Sequence, residues 1–258
     1  IFSDRQPVLI NLKVQNHWNR NRMLLMKCRV NDLNKVSHWQ RNLFCESAGQ
    51  DEIIVPIEIP LTEYGCFNLE LNCTIHDEDI GFQKYIPFSR VRPVLKERQN
   101  EILGVCTSFG QNKGDPEINL HLADLAGFSW IRDEMYWQYS EKKKGHLFIL
   151  PRWDEYVNIA RDKGIKILLT LNYGNPHYDN GDPPHTVEGV NGFALYCRNL
   201  AKHFTGRISH FEIWNEYNLG SGRDHPPQDY MKILKRSRRA IKNVQSHATV
   251  IGGAVGGF

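Results

Sequence analysis

Two rhythms of apolar and polar residues divide the chain. In the first part four segments alternate with period two: Val8, Ile10, Leu12 and Val14; Leu24, Met26, Cys28 and Val30; Ile53, Val55, Ile57 and Ile59; and Phe67, Leu69, Leu71, Cys73 and Ile75. Strict alternation puts every apolar side chain of a strand on one face, so each segment reads as a strand with one face in a core and one in water. Turn signals at Asn31-Asp32 and Tyr64-Gly65 separate some of them. The pattern predicts an all-β antiparallel sandwich, an immunoglobulin-like accessory domain over residues 1–96.

From about residue 100 the pattern changes to strand, helix, strand, helix. The strand candidates are Leu103 to Phe109, Trp130 to Tyr136, Ile165 to Leu171, His210 to Trp214 and Thr249 to Ala254. Several are nearly continuous apolar runs, as parallel strands covered on both faces require. Asp115-Pro116-Glu117 signals a helix start and Gly127 its stop. A second helix covers Trp153 to Lys163, with Gly164 after it. A third carries Val190, Phe193, Ala194, Cys197, Leu200, Ala201 and Phe204 at spacings of three and four. A fourth runs from Gln228 to Val244 with Tyr230, Ile233, Leu234 and Ile241 inward.

Strand starts lie about 28 to 45 residues apart, the repeat of βα units. The predicted class is therefore α/β: residues 97–258 as the first five strands of a (β/α)8 TIM-type barrel, behind the sandwich. An open doubly wound sheet is the alternative, and no G-x-G-x-x-G follows the first strand to support its dinucleotide-binding form. A complete barrel takes about 250 residues and only about 160 remain, so the chain reads as a fragment or as an incomplete barrel.

Composition narrows the classes. The 258 residues are 41% hydrophobic and 24% charged, as in a globular protein rather than a disordered one. A net charge of +3 gives little reason to expect nucleic acid, and no apolar run is long enough to span a membrane. No signal-peptide pattern opens the chain. The six cysteines form no C-x-x-C pair and are too sparse for a disulfide scaffold, so buried free thiols are favoured over a disulfide. Asn72-Cys73-Thr74 matches a glycosylation sequon.

Function in parallel barrels sits at the carboxyl ends of the strands. After the third strand candidate comes Asn172-Tyr173-Gly174-Asn175-Pro176-His177-Tyr178-Asp179, running on to His185. Its tyrosines offer faces for sugar rings and its amides hydrogen bonds for hydroxyls. After the fourth comes Phe211-Glu212-Ile213-Trp214-Asn215-Glu216-Tyr217-Asn218. A glutamate there, between barrel core and solvent, reads either as partly desolvated, with a raised pKa that suits it to protonate a leaving oxygen, or as a salt-bridged residue of the rim.

Trp214-Asn215-Glu216 resembles the Asn-Glu signature of the clan A retaining glycoside hydrolases. With Leu103 to Phe109, Ala126 to Arg132, Leu171 to Pro176 and Glu212 to Glu216, residues 100 to 220 resemble glycoside hydrolase family 39 and related exopolysaccharide-degrading enzymes. The resemblance implies that Glu216 is the general acid/base and that Asn215 binds the hydroxyl beside the anomeric carbon. It implies that Arg132 holds carboxylates in place and that Trp137, Asn172, Tyr173, Asn175, His177 and Tyr217 line the sugar subsite. Tyr217 stands where relatives usually have Pro, and Ser108 where they often have His. Retention needs a second carboxylate about 5 to 5.5 Å from the first. The resemblance assigns it to a seventh strand, with Glu134 no substitute, so the nucleophile is missing from this chain. A carbohydrate substrate, no cofactor, no metal, and secreted or periplasmic location follow from the same resemblance.

Three further features have plainer readings. Lys232, Lys235, Arg236, Arg238, Arg239 and Lys242 form either a polyanion patch or, the favoured reading, the wet face of a helix. Glu141 to Gly145 reads as a solvated loop. His177, His185, Asp179 and Asp182 match no zinc or calcium spacing, and no G-x-S-x-G supports a serine hydrolase. The rivals to a hydrolase are a non-catalytic carbohydrate-binding protein and a structural fragment that assembles with a partner.

Overall fold

The computed structural model describes residues 1–2, 7–75, 81–92 and 100–257. The chain forms two compact units, Ile1–Pro93 and Val94–Phe258. The boundary expected at 96/97 lies outside the described residues.

The named strands of the first unit all pair antiparallel. Strands β1 (Val8–Gln15) and β4 (Glu52–Ile59) pair as a two-stranded sheet. Strands β2 (Arg22–Asp32), β3 (Ser37–Ser47), β5 (Gly65–Ile75) and β6 (Gly81–Arg90) form a four-stranded sheet in the order β3-β2-β5-β6. The alternating apolar positions meet in one core: Val8, Ile57 and Ile59 from the first sheet, Met26, Cys28, Val30, Phe67, Leu69, Leu71 and Cys73 from the second. Strands β3 and β6 are the edges, and their inward residues Trp39, Leu43, Cys45 and Ile86 are only partly buried against the core. Their pattern buries little beyond Ser47 at one end and Phe88 and Arg90 at the other. Pro87 is tolerated in β6 because that strand is an edge. Asn31 and Asp32 belong to the end of β2, and the turn follows them. Asn72 sits within β5, half-buried on the face opposite the core. All six cysteines are free thiols, with Cys28, Cys73 and Cys197 buried. Burial pushes the Cys28 and Cys73 thiols up to about 11.

The second unit carries a parallel sheet of β7 (Asn100–Cys106), β8 (Phe128–Tyr136), β9 (Lys166–Asn172), β10 (His210–Ile213) and β11 (Thr249–Ile251), neighbours in space as in sequence. That order lacks the reversal of a doubly wound sheet. It is consistent with part of a TIM-type domain, and among the described residues the sheet does not close. Helices α1 (Pro116–Leu125), α2 (Trp137–Ser140), α3 (Pro151–Asp162), α4 (Val187–His203) and α5 (Pro227–Lys242) connect the strands. Asp115 caps α1 by accepting from the Ile118 N–H at 3.2 Å, and Thr186 caps α4 through Gly189. Trp153, Tyr156, Phe193, Tyr196 and Phe211 are fully buried in the core of this unit.

Three strand ends fall short of the apolar pattern, β10 by one residue and β7 and β11 by three. Residues 107–109 leave β7 because the buried Asp133 carboxylate captures them. It accepts from Thr107 Oγ1 at 2.5 Å, the Phe109 N–H at 2.8 Å and the Gly110 N–H at 2.9 Å. Gly110 passes so close to β8 that a Cβ there would lie 1.9 Å from the Glu134 carbonyl oxygen. Strand β11 stops at Ile251, where the sheet ends. The Tyr230 hydroxyl then takes over, accepting from the Gly253 N–H at 2.6 Å and donating to the Ile213 carbonyl at 3.0 Å.

Candidate active site

Period-two alternation decides what each face of the sheet carries. In β8, Ile131, Asp133 and Met135 are buried, and Arg132, Glu134 and Tyr136 alternate with them on the other face. Thr170 pairs with Glu134 in register and Glu212 with Thr170, so one row of polar side chains crosses three strands.

Arg132 organises that row. Its Nε and Nη2 lie 2.9 and 2.6 Å from Glu212 Oε2, which also accepts from Thr170 Oγ1 at 2.7 Å. Its Nη1 is 3.4 Å from Glu134 Oε1, and its Nη2 donates to Asn215 Oδ1 at 2.8 Å. Asn215 Nδ2 in turn donates to the Tyr173 hydroxyl at 2.9 Å. A guanidinium only donates, so Asn215 must present its oxygen to Arg132 and its amide nitrogen to Tyr173. The orientation of that amide is thereby set. Burial works against the Arg132 charge, but Glu212 and then Glu134 outweigh it and hold the guanidinium above its ordinary pKa. Burial, with smaller contributions from Glu134 and Glu216, pushes the Tyr173 hydroxyl up against the Asn215 hydrogen bond, and burial raises Tyr136 further. Both phenols stay protonated at neutral pH and can donate.

Aromatic rings flank this network. Tyr136 stacks on Tyr139 at 5.5 Å and meets Tyr173 edge-on at 5.1 Å, and Tyr173 meets Trp214 edge-on at 5.6 Å. Beyond β10 the backbone turns sharply. Trp214 has φ 71° and Glu216 φ 49°, the left-handed region that bulky residues rarely enter, and such positions concentrate at functional sites. The turn leaves Asn215 half-buried and Glu216 exposed. The Glu216 carboxyl lies over the segment after β11, where a Cβ on Gly256 would meet it at 3.2 Å. Asn218 clamps the same segment, accepting from the Gly256 N–H at 2.8 Å and donating to its carbonyl at 3.3 Å.

The expected site residues therefore divide. Arg132, Asn215 and Tyr173 come together, the Arg132 side chain reaching from the middle of β8 to the turn after β10, and Glu216 follows Asn215 in that turn. Glu216 itself is exposed in the left-handed turn that follows β10. Trp137 does not line a subsite: it is fully buried, stacked on Tyr178 at 4.7 Å, and donates Nε1 to Glu141 Oε2 at 2.6 Å. Asn172 is likewise fully buried, with neither amide atom hydrogen-bonded. Asn175 is 1% exposed and holds its own loop, donating to the Glu141 carbonyl at 2.9 Å. Tyr217 is buried between Trp214 and Tyr230 with its hydroxyl covered. Side chains so covered cannot touch a sugar arriving from solvent. His177 is exposed, with its ring bonded to the Lys142 carbonyl at 2.9 Å.

Glu141 is not part of a solvated loop. It is 2% exposed and its carboxylate accepts from Trp137 Nε1, Tyr178 Oη at 2.7 Å and the Gly145 N–H at 2.6 Å. The loop after β9 is braced on this acid, and Gly174 lets it close, since a Cβ there would strike the Gly181 carbonyl at 2.0 Å. Among the described residues no cluster of three or more His, Cys, Asp or Glu is arranged to hold a metal ion.

Sequence reasoning assigned no role to Glu212, Thr170, Glu134 or Tyr136 as parts of the Arg132 network. The signal was present as polar residues at alternate positions of otherwise apolar strands, which marks the face not covered by helices.

No protein-family model matches this chain, and no curated protein matches it. Solved structures do. A family 39 glycoside hydrolase from the gut symbiont Bacteroides cellulosilyticus WH2 is similar over 97% of this chain and 48% of its own, with a TM-score of 0.74 and 25% identity. The exo-β-1,4-mannosidase Op5Man5 from Opitutaceae bacterium strain TAV5 is similar over 59% of this chain and 32% of its own, with a TM-score of 0.52 and 17% identity, a likeness of fold alone. The chain spans about half the length of the family 39 structure. Its structural neighbours are glycoside hydrolases.

Proposed function

We propose that this chain belongs to a secreted or periplasmic glycoside hydrolase that cleaves O-glycosidic bonds of a poly- or oligosaccharide with retention. Glu216 is the general acid/base. Asn215, oriented by Arg132 and Tyr173, hydrogen-bonds the hydroxyl next to the anomeric carbon. The observation that carries this reading is the pairing of an exposed glutamate with a neighbouring amide held on both sides, at the carboxyl ends of parallel strands. The family 39 likeness supports it. Tyr136, Tyr139 and Tyr173 supply ring faces of the kind that stack on sugars. The double displacement draws on a second carboxylate about 5 to 5.5 Å from the first. The resemblance to the clan A enzymes assigns that carboxylate to a seventh strand, with Glu134 no substitute.

Glu216→Gln in the full-length protein tests the reading. Hydrolysis of substrates with poor leaving groups should fall by about 10²-fold or more, with activated aryl glycosides affected less. Equal rates in wild type and variant would end it. The aromatic rings beside the network equally suit a second reading, carbohydrate binding without turnover. Saturable binding of an oligosaccharide with no product release by the full-length protein would select it.

A further inference from the structure

Helix α5 exposes Lys232, Lys235, Arg236, Arg238 and Arg239 while burying Ile233, Ser237 and Ile241. A wet helix face ordinarily mixes charges of both signs. Here, beyond Asp229 in the first turn, every charge on the helix is positive. The cations also do not stand on a crest. Two recesses of about 480 and 470 Å³ run along the seam of α4 and α5. The first is lined by His185, Lys232, Lys235, Arg236 and Arg239. The second shares Arg236, Arg239 and Asn191 with it and adds Arg198, so the two form one groove. No Asp or Glu lines either.

Two of the cations are already held: Lys232 Nζ is 2.7 Å from Asp229, and Arg236 Nε donates to Asn191 Oδ1 at 2.9 Å, which fixes its planar head. Among the described residues no carboxylate pairs with Lys235, Arg239 or Arg198. The positive N-terminus of α4 opens at Thr186 and Val187 in the same groove. Lys232 and Arg239 are seven residues apart, about 10 Å along the helix. That spacing suits an extended ligand with repeated negative charges better than one small anion. No Trp, Tyr or Phe lines the groove, so it lacks the stacking platform that single-stranded nucleic acids use. Its cations lie in a recess that a flat bilayer surface does not enter.

We propose that the α4–α5 groove is a binding site for an acidic glycan chain bearing carboxylates or sulfates at regular intervals. Arg236, Arg239 and Arg198 would take these groups through paired N–H donors. The anionic character of the ligand follows from the groove itself; its being a glycan rests on the hydrolase reading above.

The test measures binding of the full chain to tagged oligogalacturonate, dextran sulfate, neutral dextran, duplex DNA and phosphatidylserine vesicles, at low and high salt. Wild type is compared with Lys235→Gln/Arg239→Gln and with Glu216→Gln, after circular dichroism and melting confirm that each is folded. One or both acidic glycans should bind, neutral dextran should not, and the two acidic arms separate carboxylate from sulfate recognition. Affinity should fall with added salt and fall roughly tenfold or more in the double variant. No binding of either acidic glycan at low salt would overturn the proposal. So would equal affinity in the folded double variant, or tighter binding of DNA or vesicles. Loss of groove binding with hydrolysis retained counts against the groove alone; intact groove binding with hydrolysis indifferent to Glu216 counts against the hydrolase reading.

Discussion

Arg132 and Asn215 stand 83 positions apart in the chain and 2.8 Å apart in space, joined Nη2 to Oδ1. The same guanidinium nitrogen reaches Glu212, so the charge that neutralises a buried acid also orients the amide beside Glu216. Positioning and stability are coupled in one side chain.

Arg132→Lys should separate those two roles. An ammonium keeps the charge beside Glu212 but cannot hold Glu212 and Asn215 together with one planar fork. Activity of the full-length protein should fall about tenfold or more with a modest loss in melting temperature. Arg132→Met, which leaves Glu212 without its partner, should cost about 3 kcal/mol in urea denaturation. Equal stability of the two variants would show that the pair is not what Glu212 depends on.

Asp133→Asn tests how the loop after β7 is held. The substitution preserves shape but turns one acceptor oxygen into a donor, facing either Thr107 and Phe109 or Gly110 and Glu134. A loss of about 2 to 3 kcal/mol is expected, with hydrogen exchange at Phe109 and Gly110 accelerated. Unaltered exchange there would contradict the assignment.

Glu141→Ala removes the acceptor for Trp137, Tyr178 and Gly145 together. Trp137 and the Tyr178 hydroxyl would be left without partners, a loss of about 3 kcal/mol or more. Protease nicking after β9, between residues 174 and 185, should become faster. Oligosaccharide affinity measured on the folded fraction reads whether that loop contributes to binding.

Asp154 gives a pH dependence with a definite sign. Burial raises its carboxyl, but the hydrogen bonds from His203 at 2.9 Å and Arg207 at 2.6 Å outweigh it, and its pKa lies below the ordinary value. An acid depressed in the folded state stabilises above its unfolded pKa, about 3.9, and loses that contribution as pH falls through the folded value. Asp154 is about one-third exposed, so the contribution is screened and under about 1 kcal/mol. Wild type should therefore exceed Asp154→Asn in stability at pH 6. The gap should close below pH 3.9, and 1 M salt should shrink it. A gap that persists at pH 2 would refute this.

The sequence by itself determined the division into an alternating β part and a βα part, the strands that fill each core, and the helix caps at Asp115 and Gly127. Burial of apolar surface dominates those choices, and it is written locally in the period of the pattern. It also carried Asn215 and Glu216 to a strand end, since position along a strand is local too. Edge strands β3 and β6, which bury little, left no such signature. The tertiary structure alone decided which polar residues meet. Trp137, Asn175 and Tyr217 look like sugar contacts in a one-dimensional reading and are packing or bracing residues in space, because Glu141 and the neighbouring rings cover them. Glu212 and Thr170 acquire their place only because β8, β9 and β10 lie side by side in a register that the composition of no single strand specifies. Hydrogen bonds and ion pairs depend on distance and angle between groups far apart in sequence, and that geometry exists only once the sheet has formed.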